Sequence, residues 1–381
     1  MSLLLSSGEP SGDLYAGALT RELRALAPGL SIRGLAGPEF AAAGGTLVAD
    51  YTGLTVTGFT AIPAKLPRLR ATMARLVADA AGNRPDALVV IDFFGFNARL
   101  ARRVKALGIP VVYYVSPQIW AWRHGRLDTI RRIADRVLVI FPFEEAIYRD
   151  AGVPVEFVGH PLVDLARTTE PRERFLGRLG LVPSRPTVAL LPGSRPGEVR
   201  RILPGLAAAA ERIRARVPDA QFVVARAPNL AGSLFEPIDA PIARAEMAMA
   251  TGQTDAVLAS ADVVVTASGT ATVQAALHDV PMVVVYRLSP LEYTLGKPFV
   301  TVDMYAMVNL IAGERVVPEL IQDAFTPEAV AEEATSMLID GARAARIRAG
   351  LRRVRERLGG PGASRRAAEA ILRLVGTRAP I

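Results

Sequence analysis

Short apolar runs without in–out alternation constrain this chain most. They occur at residues 3–6 (LLLS), 87–92 (ALVVID), 111–115 (VVYYV) and 136–141 (RVLVIF). A strand that is apolar on both sides needs cover on both faces, which is the condition of a parallel sheet flanked by helices. Amphipathic helical patterns lie between the runs, at about residues 12–26, 66–80 and 97–106. Strand and helix in alternation predict a doubly wound sheet. The rhythm restarts after about residue 165, with strand-like segments at 187–193, 220–227, 241–246, 261–268 and 281–287. From about Thr326 only helical patterns follow, rich in arginine. The predicted fold is α/β, with two Rossmann-like doubly wound domains facing a cleft. The first covers residues 1–165 and the second 166–345; C-terminal helices over 346–381 can pack back on the first domain.

A chain of 381 residues suits two domains of ~100–200 residues each. It has no cysteine, which excludes disulfides and thiolate metal sites. Its histidines, His124, His160 and His278, lack metal-ligand spacing. No metal and no other cofactor is therefore expected. No signal-peptide pattern and no spanning run of ~20 apolar residues is visible, so the expected location is cytoplasmic. The net charge of +8, joined to a positive mean hydropathy, fits an anionic membrane face; solvated helix faces explain it equally well. Nucleic-acid binding would rest on charge alone, with no recognisable module. No G-x-G-x-x-G follows the first strand, so a dinucleotide oxidoreductase is poorly supported.

Ligands of open α/β sheets bind at the carboxyl ends of strands, and the motifs fall there. SSGEPSGD, Ser6–Asp13, is a small-residue turn that lets a ligand approach, or a tight turn in which Ser11 or Asp13 caps the next helix. IDFFGFN, Ile91–Asn97, ends an apolar run with Asp92. That carboxylate is a candidate base for an acceptor hydroxyl, or a cap for a helix beginning near Phe96. YYVSPQIWAWRHGR, Tyr113–Arg126, gathers Trp120, Trp122 and Arg123. Such aromatics suit a sugar ring, a membrane interface or simple core packing. LLPGSRPGEVRR, Leu190–Arg201, places Gly193, Ser194 and Arg195 before a helix beginning near Gly197. A helix N-terminus and a guanidinium together suit a diphosphate. TASGTATVQAALHDVPMVVVYR, Thr266–Arg287, offers a second such junction at Ser268, Gly269 and Thr270, with Gln274 one turn on for a ribose or for solvent. His160 in VGHP reads as structural.

These features describe a GT-B glycosyltransferase, and the ordered blocks go further. SGEPSGD, IDFFGFN, YYVSPQIWAWR, FPFEEAIY, FVGHPLVD, LLPGSRPGEV, ASGTAT, PMVVVYR and NLIAGERVVPELIQ resemble the successive signatures of lipid-A-disaccharide synthase from about residue 6 to residue 322. The resemblance implies an inverting, metal-independent transfer from UDP-2,3-diacylglucosamine to 2,3-diacylglucosamine 1-phosphate, giving a β-1,6 disaccharide and UDP. It implies a peripheral enzyme on the cytoplasmic face of the inner membrane. A homodimer is compatible with it. Under the resemblance Asp92 is the base and Arg195 the nucleotide-binding arginine. Gly193, Ser194, Glu198, Ser268, Gly269, Thr270, Gln274 and Asn309 lie in or near the UDP site. Glu9, Ser11, Trp120, Trp122 and Arg123 fall on the acceptor or sugar side. The chain departs from the family at Gly95, where a second acidic residue is usual, at Gln274, usually glutamate, and at Ala61, usually glutamate. The competing functions are a GT-B transferase for another lipid acceptor, a nucleotide-sugar epimerase and a nucleotide-binding module without turnover.

Overall fold

The computed structural model describes residues 1–54, 62–117, 119, 125–236, 247–289, 293 and 303–376. The chain divides into two compact units near Val163. In the first, the order is β1 (Ser2–Ser7), α1 (Pro10–Leu26), β2 (Ser31–Ala36), α2 (Pro38–Ala42), β3 (Thr46–Asp50) and α3 (Ile62–Asn83). There follow β4 (Ala87–Ile91), α4 (Phe94–Lys105), β5 (Val111–Tyr114), α5 (Gly125–Ile133), β6 (Arg136–Val139), α6 (Pro142–Asp150) and β7 (Val155–Phe157). Helix α7 (Leu162–Leu165) spans the division.

The seven strands form one sheet in the order β3-β2-β1-β4-β5-β6-β7, with every pairing parallel. Strand β4 is buried along its whole length. Its side chains from Leu88 to Ile91 are 0% exposed, each contributing about 1.5–3 kcal/mol by burial. This explains why the apolar runs carry no alternation. The chain winds outward from β1 in both directions, so the crossovers diverge between β1 and β4.

The second unit continues with α8 (Arg172–Arg178), β8 (Thr187–Leu191), α9 (Pro196–Arg216), β9 (Gln221–Arg226), β10 (Met247–Thr251), α10 (Thr254–Ala259), β11 (Val263–Ala267) and α11 (Thr270–Leu277). It closes with β12 (Met282–Tyr286), α12 (Met307–Ala312), β13 (Glu319–Ile321), α13 (Pro327–Ile339) and α14 (Gly341–Arg357). Its parallel sheet has the order β10-β9-β8-β11-β12-β13, and here the crossovers diverge between β8 and β11. The strand expected at 241–246 lies outside the described residues; the strand of that region is Met247–Thr251.

The C-terminal helices do not form a set apart. Helix α14 belongs to the second unit, and the chain rejoins the first from Leu358. The last helix, α15 (Ala363–Gly376), packs on α1. Arg366 Nε donates to Val158 O at 2.9 Å, and Arg373 pairs with Glu156 at 2.9 Å.

Candidate active site

In the first unit the loops after β1 and β4 stand side by side at the switch point, where such sheets open a crevice. Gly8 and Phe93 meet there: a Cβ on Gly8 would lie 2.1 Å from the Phe93 ring. Asp92 and Phe93 both take left-handed backbone, with φ of 44° and 47°, at a cost of about 1–3 kcal/mol each. Buried Asn97 holds this turn. Its Nδ2 donates to Asp92 O at 2.8 Å, Ile91 O at 3.1 Å and Ser6 O at 3.2 Å, and its Oδ1 accepts from Ser6 Oγ at 2.7 Å. The Tyr113 hydroxyl adds a bond to Asp92 O at 2.9 Å. Asp92 N donates to Val115 O at 3.2 Å, and Val115 itself has φ 57°. Helix α4 begins at Phe94 with Phe93 as its N-cap, so Asp92 is not the cap. Its side chain is partly exposed at the strand end.

The surroundings sense the Asp92 charge. Burial first, then Asp92, pushes the Tyr113 phenol well above its ordinary value. Burial lowers the Arg126 pKa, while Tyr113 and Asp92 act against that fall. Arg126 also lies over the Phe94 ring at 5.1 Å. A partly exposed carboxylate beside a guanidinium and a buried phenol can accept a hydroxyl proton.

Neither Ser11 nor Asp13 caps α1. Glu9 is the N-cap, with Pro10 starting the helix and half-buried Ser11 in its first turn. Asp13 is buried and turns instead to α2, accepting from Gly37 N at 2.7 Å, Glu39 N at 2.9 Å and Phe40 N at 3.2 Å. Trp120, Trp122 and Arg123 lie outside the described residues, as does Ala61. Ser116 in the same motif is described: its hydroxyl donates to Oε1 of buried Glu144 at 3.0 Å. His160 accepts from Leu162 N through Nδ1 at 3.1 Å and meets Tyr15 edge-on at 6.0 Å. Burial lowers its pKa to about 3, so the ring is neutral and structural.

In the second unit the loops after β8 and β11 are neighbours by the same topology. Arg195 is the N-cap of α9, and Pro196 opens the helix. Glu198 folds back on the loop, its Oε2 accepting from Ser194 N at 3.2 Å and Arg195 N at 3.3 Å. Its Oε1 takes Arg195 Nη1 at 3.2 Å. The loop amides expected for a diphosphate thus already cradle a carboxylate. Gly193 makes this fit possible: its φ is 114°, and a Cβ would come within 2.6 Å of Glu198 Oε2. A guanidinium has five N–H donors, enough to keep Glu198 and grip a phosphate.

Ser268 donates through Oγ to Tyr305 O at 2.7 Å. Gly269 is the N-cap of α11, with φ 152°, and Thr270 is exposed. Gln274 faces α10, where its Nε2 meets Asp255 Oδ1 at 3.3 Å. His278, one turn on, meets the same oxygen at 3.0 Å. Asn309 is 0% exposed and its amide is saturated. It donates to Val317 O at 2.9 Å and Glu319 Oε1 at 2.8 Å, and accepts from Val316 N at 2.9 Å and Val317 N at 3.0 Å. Glu319 in turn accepts from Tyr305 N and Ala306 N. Asn309 therefore shapes the loop behind Ser268 and has no amide group left for a nucleotide.

The family model described as lipid-A-disaccharide synthetase matches residues 3–374. A lipid-A-disaccharide synthase of Myxococcus xanthus is 43% identical, covering 98% of this chain and 97% of that one. One of Anaeromyxobacter sp. is 44% identical, covering 97% and 96%. The chain belongs to the lipid-A-disaccharide synthase family.

Membership makes it a glycosyltransferase of lipid A biosynthesis. Solved structures agree on the GT-B fold. A UDP-GlcNAc 2-epimerase from Neisseria meningitidis, bound to UDP-GlcNAc, is similar at TM-score 0.64 and 11% identity, covering 98% of this chain and 100% of that one. MurG of Acinetobacter baumannii is similar at 0.57 and 15%, covering 98% and 99%. Two departures from the lipid-A-disaccharide synthase pattern have a visible setting. Gly95 is exposed and a Cβ there would meet nothing within 4 Å, so an acidic side chain would fit. At Gln274 a glutamate would face the Asp255 carboxylate, and like charges at that distance repel. Among the described residues no helix is long and apolar enough to cross a membrane, and no acidic or histidine cluster could hold a metal ion.

Proposed function

We propose that the enzyme transfers 2,3-diacylglucosamine from UDP to the 6-hydroxyl of 2,3-diacylglucosamine 1-phosphate. The products are the β-1,6-linked disaccharide 1-phosphate and UDP. Asp92 takes the acceptor proton as the hydroxyl oxygen attacks the anomeric carbon from the face opposite the leaving group, which inverts that centre. Arg195 neutralises the departing diphosphate, with the Ser268–Thr270 junction as its partner and Gln274 on the ribose side. Glu198 keeps Arg195 and the loop amides in place. The acceptor and sugar side includes Glu9 and Ser11, with Trp120, Trp122 and Arg123 of the third motif.

The observation that carries this reading is positional. Four of the five motif loops fall at the two switch points, after β1 and β4 and after β8 and β11. Open α/β sheets bind ligands at such positions, which supports the assignment. The enzyme works as a peripheral protein on the cytoplasmic face of the inner membrane, where both lipid substrates lie. Arginine-rich α14 supplies the charge for that contact. Incubating the protein with both lipids and reading the products by mass spectrometry tests the assignment. Disaccharide and UDP should form together, and only with acceptor present. Donor epimerisation or hydrolysis alone would overturn it.

A further inference from the structure

The second unit holds a cavity of about 410 Å³ between α14 and the segment leading into β13. Its lining contains none of Gly193, Arg195 or Ser268–Thr270. Four arginines line it, Arg315, Arg343, Arg346 and Arg353, against two carboxylates, Glu314 and Glu319. Val316, Val317 and Ile347 also line it.

The two carboxylates differ in what they can neutralise. Glu319 is committed to the backbone of Tyr305 and Ala306 and to Asn309. Glu314 meets Arg353 at 2.8 Å, with both side chains more than half exposed, and exposed pairs of this kind are weak. Arg343 is tied to Glu333 and Arg315 to Asp303 O. Arg346 is exposed and has no partner among the described residues. Arg346 and Arg353 lie two helical turns apart on one face of α14, about 10 Å along the axis. Between them stands Gly350, pressed so close to Val316 that a Cβ would fall 2.3 Å from its Cγ1. On that face of α14 the position between them, Gly350, carries no side chain.

We propose that this cavity is a second anion site, built for a phosphate group held between Arg346 and Arg353. It is independent of the UDP site. A phosphate oxygen replaces Glu314 on Arg353, and Arg346 closes from the other end. Guanidiniums suit this role because they bind phosphate oxygens through paired hydrogen bonds. The group can come from a soluble phosphate monoester or from an anionic lipid headgroup.

The test pairs two probes with three proteins: the wild type, the double variant Arg346→Gln/Arg353→Gln and Arg195→Ala. Glycerol 3-phosphate is titrated calorimetrically, and vesicles of phosphatidylglycerol, against phosphatidylcholine, are co-sedimented. A soluble source gives saturable glycerol 3-phosphate binding that falls at least tenfold in the double variant and survives Arg195→Ala. A headgroup source gives phosphatidylglycerol binding alone, with the same loss. In either case UDP affinity of the double variant stays at the wild-type value, and Arg346→Lys/Arg353→Lys keeps most of the binding. Wild-type binding of both probes by the double variant overturns the proposal, as does failure of both probes to bind the wild type.

Discussion

Asp92 owes its place to its neighbours. Its backbone is left-handed, and its carbonyl is fixed from two sides by Asn97 and Tyr113. Asn97→Ala strips partners from the Ser6 hydroxyl and from the turn carbonyls. We expect a stability loss of about 1–3 kcal/mol, read by urea unfolding, and a lower turnover at unchanged UDP affinity. Tyr113→Phe removes a single bond and should cost less, about 0.5–1.5 kcal/mol. Wild-type turnover in Asn97→Ala would show that the turn needs no such brace. Sequence made Asp92 legible because a carboxylate ends an unbroken apolar run. It left Asn97 unread as a brace, since the partner that ties it to the neighbouring strand, Ser6 of β1, lies ninety-one residues away. Asn309 was legible only as a motif position; the partners of its amide, Val316, Val317 and Glu319, come from the segment leading into β13.

At the scale of elements, the loops matter more than the helices they open. The β8–α9 loop is shaped as an anion cradle, with Glu198 seated in it and Gly193 leaving the room. Gly193→Ala would push the carboxylate off the Ser194 and Arg195 amides. We expect a melting temperature lowered by a loss on the order of 1 kcal/mol or more and weaker UDP binding by titration. UDP affinity equal to wild type would remove the cradle from the binding account. Strands were readable in advance because burial on both faces leaves a mark in composition. Caps were less so, because a cap is a partnership across elements: Asp13 lies in α1 but satisfies the N-terminus of α2. The place of Gln274 one turn into α11 followed from helical period, but the neighbour it faces, Asp255 of α10, did not, because period does not encode it.

For the whole molecule, the chain's return from α14 to α15 makes the first unit depend on residues at both ends of the sequence. His160 stands at this return, its backbone N–H donating to Leu358 O at 2.8 Å, and its buried, neutral ring ties the fold's stability to pH. Its pKa is lowered from 6.5 to about 3 in the fold, so the unfolded chain binds the proton first as pH falls. The stabilisation is complete above about pH 6.5 and is lost progressively toward pH 3, by about 1.4 kcal/mol per pH unit. Urea unfolding of wild type and His160→Gln at pH 7.5 and 5 should show a smaller acid loss in the variant; equal slopes would assign the acid loss to other groups. The central claim is a division of labour, with proton removal in the first unit and diphosphate binding in the second. Turnover and UDP affinity measured side by side in Asp92→Asn and Arg195→Ala test it most directly. Asp92→Asn should lose about 10²–10⁴-fold in turnover with UDP affinity intact, while Arg195→Ala should weaken UDP binding by about 1.5–3 kcal/mol. Normal turnover in Asp92→Asn, or undiminished UDP affinity in Arg195→Ala, would contradict it.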